Sequence, residues 1–224
     1  MTYYSYFVSS FNRNGPLTII LIGTKGSGKS SAGNCILEQN RFNVFVGTKI
    51  GTTELQTERK VNSDTDICVI DTPGIRDIEE VNSILENLKE TENVVYAIII
   101  SIGRYTTLDK HLLYEIERNC EHILKKSFVL FTRRNELKVY ENPHERTIDN
   151  WLKTVQTLSK FIDSHQLQFR VFENVDVDSL SKAEQVRDVI ELCKEILSVT
   201  VSTSRETSKN NIIIEFDEMK KAFW

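Results

Sequence analysis

The sequence lacks the long apolar segments that membrane insertion or export requires. No stretch approaches the ~20 consecutive apolar residues of a membrane-spanning helix, and the longest apolar run covers only residues 94–100. Residues 1–14 have neither a basic start nor a continuous apolar segment, so they do not fit a signal peptide. We therefore expect no transmembrane anchor in this chain.

Cysteine is scarce and scattered. The four cysteines, Cys35, Cys68, Cys120 and Cys193, form no CxxC pair and no cluster with histidine, which argues against a zinc site. Each falls in a predicted helix or strand, where a small buried thiol is the ordinary interpretation. Free thiols are typical of a reducing compartment, which predicts a cytoplasmic protein.

An excess of basic charge is also absent. The net charge is −4, whereas a nucleic-acid-binding surface requires a basic face. We therefore expect no nucleic-acid partner. With only three prolines, 40% hydrophobic and 27% charged residues, the composition is that of a globular domain.

Strand and helix patterns alternate along the chain, which predicts an α/β fold with a mostly parallel six-stranded sheet and helices on both faces. The predicted strands are 17–22, 55–61, 66–71, 94–101, 127–132 and 168–173. The predicted helices are 30–37, 78–90, 108–124, 148–162 and 183–197. We divide the chain into an N-terminal arm (1–15), one α/β domain (16–198), and a polar linker followed by an amphipathic C-terminal helix (199–224).

Residues 23–30 (GTKGSGKS) fit the phosphate-binding loop pattern, and they lie between a predicted buried strand and a predicted helix. Such a turn directs successive backbone N–H groups toward one point, where the helix dipole adds positive potential. Lys29 can reach the β- and γ-phosphates, and the hydroxyl of Ser30 can coordinate Mg²⁺. The alternative is a chance match, which the strand–loop–helix context disfavours.

A second motif, Asp71–Gly74 (DTPG), follows directly on the strand 66–71. A carboxylate at that strand end can hold Mg²⁺ through water. The N–H of Gly74 can donate to a γ-phosphate and move when the phosphate leaves. The alternative is a turn with no other role.

A third magnesium ligand is expected from the loop 41–53, because a switch loop needs a threonine hydroxyl in the metal shell. Thr52 is our first candidate and Thr53 the second. Base recognition is expected after the strand 127–132, at residues 132–135 (TRRN), with the segment 172–174 (FEN) closing over the other side.

These segments, together with 102–106 (IGRYT) and Asp109, resemble the AIG1-type, immunity-associated GTPases, relatives of the septins and the chloroplast import-receptor GTPases. The resemblance runs from about Leu17 to Leu197. It implies a P-loop GTPase three-layer sandwich that binds GTP or GDP with Mg²⁺, and a homodimer or a hetero-oligomer with related GTPases. It assigns the metal to Ser30, Thr52 and Asp71. The nucleotide-binding residues that it implies are Gly23, Thr24, Lys25, Gly26, Ser27, Gly28, Lys29, Ser30, Ser31, Arg133, Arg134, Asn135 and Asn174.

The chain departs from the family pattern at the base site. Asn135 stands where the family usually has aspartate, and Glu173-Asn174 where it usually has two asparagines. Because one amide offers a single acceptor to the two donors of guanine, we expect Asn135 to weaken guanine discrimination and Asn135→Asp to tighten GTP relative to XTP. Val44 also departs from the family's frequent serine.

The expected activity is slow GTP hydrolysis, with Gly74, Thr52 and Arg104 as catalytic candidates. Ile75 occupies the position where many small GTPases carry a water-orienting glutamine. An arginine delivered in trans can contribute on the order of 10³–10⁵ in rate, and Arg104 is our candidate; its alternative role is a surface salt bridge or a dimer contact. Two other functions stay open: a GTP-binding oligomerising scaffold with negligible turnover, and a P-loop protein for another nucleotide.

Overall fold

Parallel pairing of buried strands organises the chain. The computed structural model describes residues 15–44, 54–61, 66–86, 88, 93–173 and 180–199. One six-stranded sheet has the order β2-β3-β1-β4-β5-β6, in which the β2–β3 pair is antiparallel and the others are parallel. The strands are β1 (Leu17–Ile22), β2 (Gln56–Val61), β3 (Asp66–Asp71), β4 (Val94–Ser101), β5 (Ser127–Thr132) and β6 (Phe169–Val171).

Helices cover both faces of the sheet. They are α1 (Lys29–Leu37), α2 (Ile78–Glu86), α3 (Thr107–Asn119), α4 (Glu121–Leu124), α5 (Ile148–Thr154), α6 (Gln156–Ser164) and α7 (180–199). Two 3₁₀ segments, Arg134–Val139 and Pro143–Glu145, follow β5. In the described part of the chain, no helix has the length and apolar character to cross a bilayer.

Two hydrophobic cores lie on opposite sides of the sheet, because alternate strand residues point to opposite faces. Ile20 and Ile98 face the core shared with α2 to α6. Ile19 and Ile99 face the core shared with α1 and α7. All of β4 is buried, as expected for a central parallel strand covered on both faces. The predicted three-layer α/β sandwich is confirmed.

Two segments that we predicted as single helices are each divided into two helices. The segment 108–124 is broken at Cys120 (φ −137°, ψ 49°), and 148–162 is broken at Val155 (φ −117°, ψ 60°). Both residues have lower helix propensity than alanine or leucine. The apolar stripe continues across each break, so periodicity alone could not reveal the bend.

Several predicted boundaries differ at their ends. The last strand is shorter than 168–173, because only Phe169–Val171 pairs with β5. The last helix is longer than 183–197. For the helix expected over 78–90, the structure shows α2 over Ile78–Glu86. The proposed arm, most of the loop 41–53 and nearly all of 199–224 lie outside the described residues.

Candidate functional site

The ends of four neighbouring strands meet around the loop 23–28, which joins β1 to α1. In open α/β sheets, this carboxyl edge is where ligands bind. Gly28 caps α1 with a left-handed backbone (φ 99°), and Gly26 has φ 80°. A Cβ on Gly28 would lie 3.2 Å from the methyl and hydroxyl groups of Thr132. Both the turn and the close approach of β5 therefore require glycine at position 28.

The ammonium group of Lys29 lies inside this loop. Its Nζ donates to the carbonyl oxygens of Gly23 (3.0 Å) and Thr24 (3.1 Å), and the residue is 6% exposed. Burial lowers the pKa of Lys29 to about 8, while the carboxylates of Asp71 and Asp109 oppose that shift. The ammonium is therefore charged at neutral pH, and it contacts carbonyl groups of the same loop whose N–H groups are predicted to bind phosphates.

Ser30 and Asp71 form an adjacent oxygen pair. Ser30 Oγ donates to Asp71 Oδ2 at 2.6 Å, although the residues are 41 positions apart. A hydroxyl beside a carboxylate is a donor set that Mg²⁺ accepts, since it prefers oxygen ligands and keeps several waters. The described residues contain no group of three or more His, Cys, Asp or Glu that could hold a metal by itself. The pair therefore fits a magnesium ion that is also held by phosphate and water oxygens.

The DTPG segment lies along the phosphate loop. Lys25 N donates to Ile75 O at 2.7 Å, and Ile75 N to Gly23 O at 3.4 Å. A Cβ on Gly74 would stand 2.9 Å from Lys25 Cα and 3.3 Å from Lys29 Nζ. Gly74 thus lies beside the buried ammonium, as its predicted contact with a γ-phosphate requires. The side chain of Ile75 is fully buried.

The segment after β5 is attached to the same loop. Thr132 Oγ1 donates to Ser27 O at 2.6 Å, and the exposed Arg133 guanidinium donates to Gly26 O at 3.4 Å. Arg134, also exposed, and Asn135 begin the 3₁₀ segment after β5. Of the predicted base-recognition residues, Arg133 therefore contacts the phosphate loop, and Arg134 and Asn135 follow it in the chain.

Sequence reasoning missed the role of Glu173 at this segment. Its buried carboxylate accepts from the backbone N–H of Asn135 at 2.6 Å (Oε2), and its own N–H donates to the side chain of Gln185. The sequence signal was available in the paired departures at 135 and 173. The sequence alone does not show that these two positions are in contact.

Arg104 is exposed and lies at the rim of the phosphate loop of its own chain. A Cβ on Gly26 would stand 3.0 Å from an Arg104 guanidinium nitrogen. Ser31 lies in the first turn of α1. Thr52, its alternative Thr53, and Asn174 lie outside the described residues, so their predicted contacts stay predictions.

Asp109 is a second residue whose role sequence reasoning missed. It belongs to the IGRYT segment's helix, α3, and its carboxylate accepts from Thr24 Oγ1 at 2.8 Å. The Thr106–Asp109 spacing matches a capping box, which could have indicated the helix start. Nothing in that local pattern points to Thr24.

The geometry of this site agrees with comparisons to known proteins. A model of the AIG1 family matches residues 17–220. The chain belongs to the AIG1 family. Among curated relatives of this AIG1 chain, "Immune-associated nucleotide-binding protein 9" of Arabidopsis thaliana is 28% identical over 202 residues. The match covers 85% of this chain but 57% of that protein, so the chain spans little more than half the relative's length.

Solved structures support the fold of the AIG1 chain. Toc33 from Arabidopsis thaliana in complex with GDP and Mg²⁺ has a TM-score of 0.60 at 18% identity, covering 81% of this chain and 84% of Toc33. A structure of the chloroplast translocon components atToc33 and psToc159 has a TM-score of 0.60 at 16% identity, covering 81% and 82%. At these identities, the likeness establishes the fold alone.

The contact between Gly28 and Thr132 predicts the effect of a single methyl group. Gly28→Ala adds overpacking against Thr132 to a backbone strained by positive φ, so we expect a loss of about 2–4 kcal/mol in the free energy of unfolding. Gly103→Ala is the matched control, since Gly103 also has positive φ (76°) but its nearest neighbour is the Glu136 side chain at 3.4 Å. Its loss should be about 1–2 kcal/mol, from backbone strain alone. Urea unfolding of both variants measures the difference, and equal losses would contradict the role of Thr132.

Proposed function

We propose that this AIG1 chain is a guanine-nucleotide-binding switch protein that hydrolyses GTP slowly and dimerises through its nucleotide face. The observation that carries the proposal is the charged, buried ammonium of Lys29 inside the loop, beside the Ser30–Asp71 oxygen pair at 2.6 Å. This arrangement suits a polyphosphate with a divalent cation. The GDP and Mg²⁺ bound to Toc33, which shares the fold, favour guanine nucleotide.

In this proposal, residues 23–31 hold the phosphates through backbone N–H groups, the α1 dipole and Lys29. Ser30, Asp71 and Thr52 hold Mg²⁺, which neutralises charge on the phosphates when bound. Gly74 contacts the γ-phosphate, and residues 133–135 with Asn174 face the base. The cytoplasm as location, and related GTPases as hetero-oligomeric partners, belong to the same proposal.

Lys29→Ala tests the nucleotide site. We expect GTP and GDP binding to fall below detection in calorimetry, because the buried positive charge that faces the phosphates is lost. The fold should persist, since the hydrogen bonds of the ammonium are made to carbonyl groups of the loop itself. Lys125→Ala is the matched control, because Lys125 lies on the surface in an ion pair with Glu121. Unchanged GTP affinity in a folded Lys29→Ala protein would refute the phosphate-loop assignment.

We propose that Glu173 supplies the acceptor that Asn135 lacks. Guanine presents two donors, N1–H and the 2-amino group, whereas an amide offers one acceptor and a carboxylate offers several. The Glu173 carboxylate lies in hydrogen-bond contact with the backbone of Asn135, so negative charge is retained at this segment. This modifies our expectation that Asn135 by itself weakens guanine discrimination.

Exchange of the Glu173 carboxylate should change the choice of base. Glu173→Gln should weaken GTP binding about tenfold to a hundredfold, the effect of leaving a buried donor mispaired. XTP should lose less, since its 2-oxo group accepts from an amide. Asn135→Asp should restore GTP preference in the Glu173→Gln background. Glu136→Gln, at the exposed neighbouring position, is the control. Competition of GTP and XTP against a fluorescent nucleotide gives the ratio, and a ratio that Glu173→Gln leaves unchanged contradicts the assignment.

Slow turnover follows from Ile75, whose fully buried side chain has no group to orient an attacking water. We propose that Arg104 of a second subunit supplies charge to the transition state. The exposed guanidinium stands at the rim of the phosphate loop, on the face where two such sites would meet in a face-to-face dimer. Dimerisation is important for the GTPase activity of atToc33 and psToc159, which supports this arrangement.

Mixed subunits test the proposed role of Arg104. Specific activity of the wild-type protein should rise with protein concentration, and Arg104→Ala should remove the rise without weakening GTP binding. A Lys29→Ala subunit, which retains Arg104, should restore turnover to an Arg104→Ala subunit when the two are mixed. Turnover that is independent of concentration but reduced by Arg104→Ala would instead show action within one chain, where the guanidinium already lies near Gly26.

The buried Ile75 also favours a second candidate function, a GTP-binding oligomerising scaffold with negligible turnover. Phosphate release measured across protein concentrations separates the two. The scaffold predicts nucleotide-dependent assembly with no release above the buffer rate at any concentration.

A further inference from the structure

A buried carboxylate links the phosphate loop to α3. Asp109 is 1% exposed, and its Oδ1 accepts from Thr24 Oγ1 at 2.8 Å across 85 residues of sequence. Thr24 is itself 8% exposed. If this hydrogen bond were broken, the buried carboxylate and the buried hydroxyl would lose a partner, which is energetically costly. The contact is therefore strongly specified by the fold.

Capping of α3 uses only the other oxygen of Asp109. Oδ2 accepts from Thr106 N (2.7 Å) and from Thr106 Oγ1 (2.6 Å), which completes the capping box. The helix start is satisfied without Oδ1. The contact with Thr24 is thus a second connection that helix capping does not require.

Thr24 belongs to the part of the loop that holds the buried ammonium. Its carbonyl oxygen accepts from Lys29 Nζ (3.1 Å) and from Ser27 N (3.2 Å). The next residue, Lys25, donates its N–H to Ile75 O, just after the DTPG motif. A displacement of residues 74–75 would therefore pull on Gly23 and Lys25, the two neighbours of the residue that Asp109 contacts.

The segment held by Asp109 carries Arg104. Arg104 N donates to Ser101 O at 3.1 Å, at the end of β4, and Thr106 is bonded to Asp109 at the start of α3. The turn 102–106 is thus fastened at both ends, with the guanidinium of Arg104 beside Gly26.

We propose that Asp109 is a positioning residue that ties Thr24 to the turn 102–106, so that the phosphate loop and the arginine-bearing turn keep one relative position. We call the Thr24–Asp109 hydrogen bond the clasp. The assignment rests on the proposed nucleotide-binding function and adds to it a regulatory link between nucleotide contact and the proposed dimer face. The carboxylate accepts from Thr24 with one oxygen and from Thr106 with the other. An asparagine has a single acceptor oxygen, so it could keep both partners only by reversing the hydrogen bond with Thr24, its NH2 group donating to the hydroxyl.

A double-mutant cycle tests the clasp, with GDP as the calorimetric probe and the full chain as the protein. Thr24→Val removes the hydroxyl at nearly constant volume, and Asp109→Asn removes one acceptor. We expect each to weaken GDP binding about tenfold, the order of effect of a lost hydrogen bond to a charged group. The double variant should be no weaker than either single variant, because both break one contact. Thr24→Ser, which keeps the hydroxyl, should weaken GDP binding less than Thr24→Val does.

Thr106→Ala separates positioning from helix capping. It weakens the cap but leaves the Thr24 hydroxyl and the Asp109 carboxylate in place, so it should lower the melting temperature and change GDP affinity by less than about threefold. Additive losses in the double variant, or an unchanged GDP affinity in Thr24→Val, overturn the clasp. So does a loss of GDP affinity in Thr106→Ala as large as that in Asp109→Asn. A wild-type protein that binds no GDP is a different result, since it overturns the proposed function itself.

Discussion

A charged ammonium enclosed by backbone carbonyls is the constraint on which the site depends. Removing that charge from water is unfavourable, and the pKa of Lys29 reflects the cost. Asp71 and Asp109 offset part of it. Each of these carboxylates also accepts a hydrogen bond from another segment, Asp71 from Ser30 and Asp109 from Thr24. The buried lysine therefore gives the loop, the proposed metal pair and the start of α3 a common electrostatic centre.

The position of the two short motifs was predictable from the sequence, because their signals are local. Residues 23–30 and 71–74 each combine a strand end with a short pattern of glycine, charge and hydroxyl, and the structure brings both to the same sheet edge. The mostly parallel sheet was predictable from the buried runs in β1, β3, β4 and β5, whereas the order of its strands is known from the structure alone. Roles of individual residues toward nucleotide or metal stay predictions, and Thr52 and Asn174 lie outside the described chain.

Long-range side-chain contacts could not be predicted in the same way. Asn135 and Glu173 are 38 residues apart, and Thr24 and Asp109 are 85 apart. A single hydrogen bond between such positions leaves no periodic trace in a sequence. The bends at Cys120 and Val155 could not be predicted for a related reason, since a bent helix and a straight one can bury the same apolar residues. Periodicity indicates which side chains are buried, but it does not indicate the path of the backbone between them.

The two-sided burial of the sheet has a consequence for how signals move in this molecule. The phosphate loop runs into α1 on one face, whereas the DTPG and IGRYT segments run into α2 and α3 on the other. Between them stands β4, with every residue buried and packed on both sides. A close-packed interior has low compressibility and transmits strain, so the sheet mechanically couples its two faces. Hydrogen bonds at the edge where the strands end, Lys25 with Ile75 and Thr24 with Asp109, connect the same segments directly.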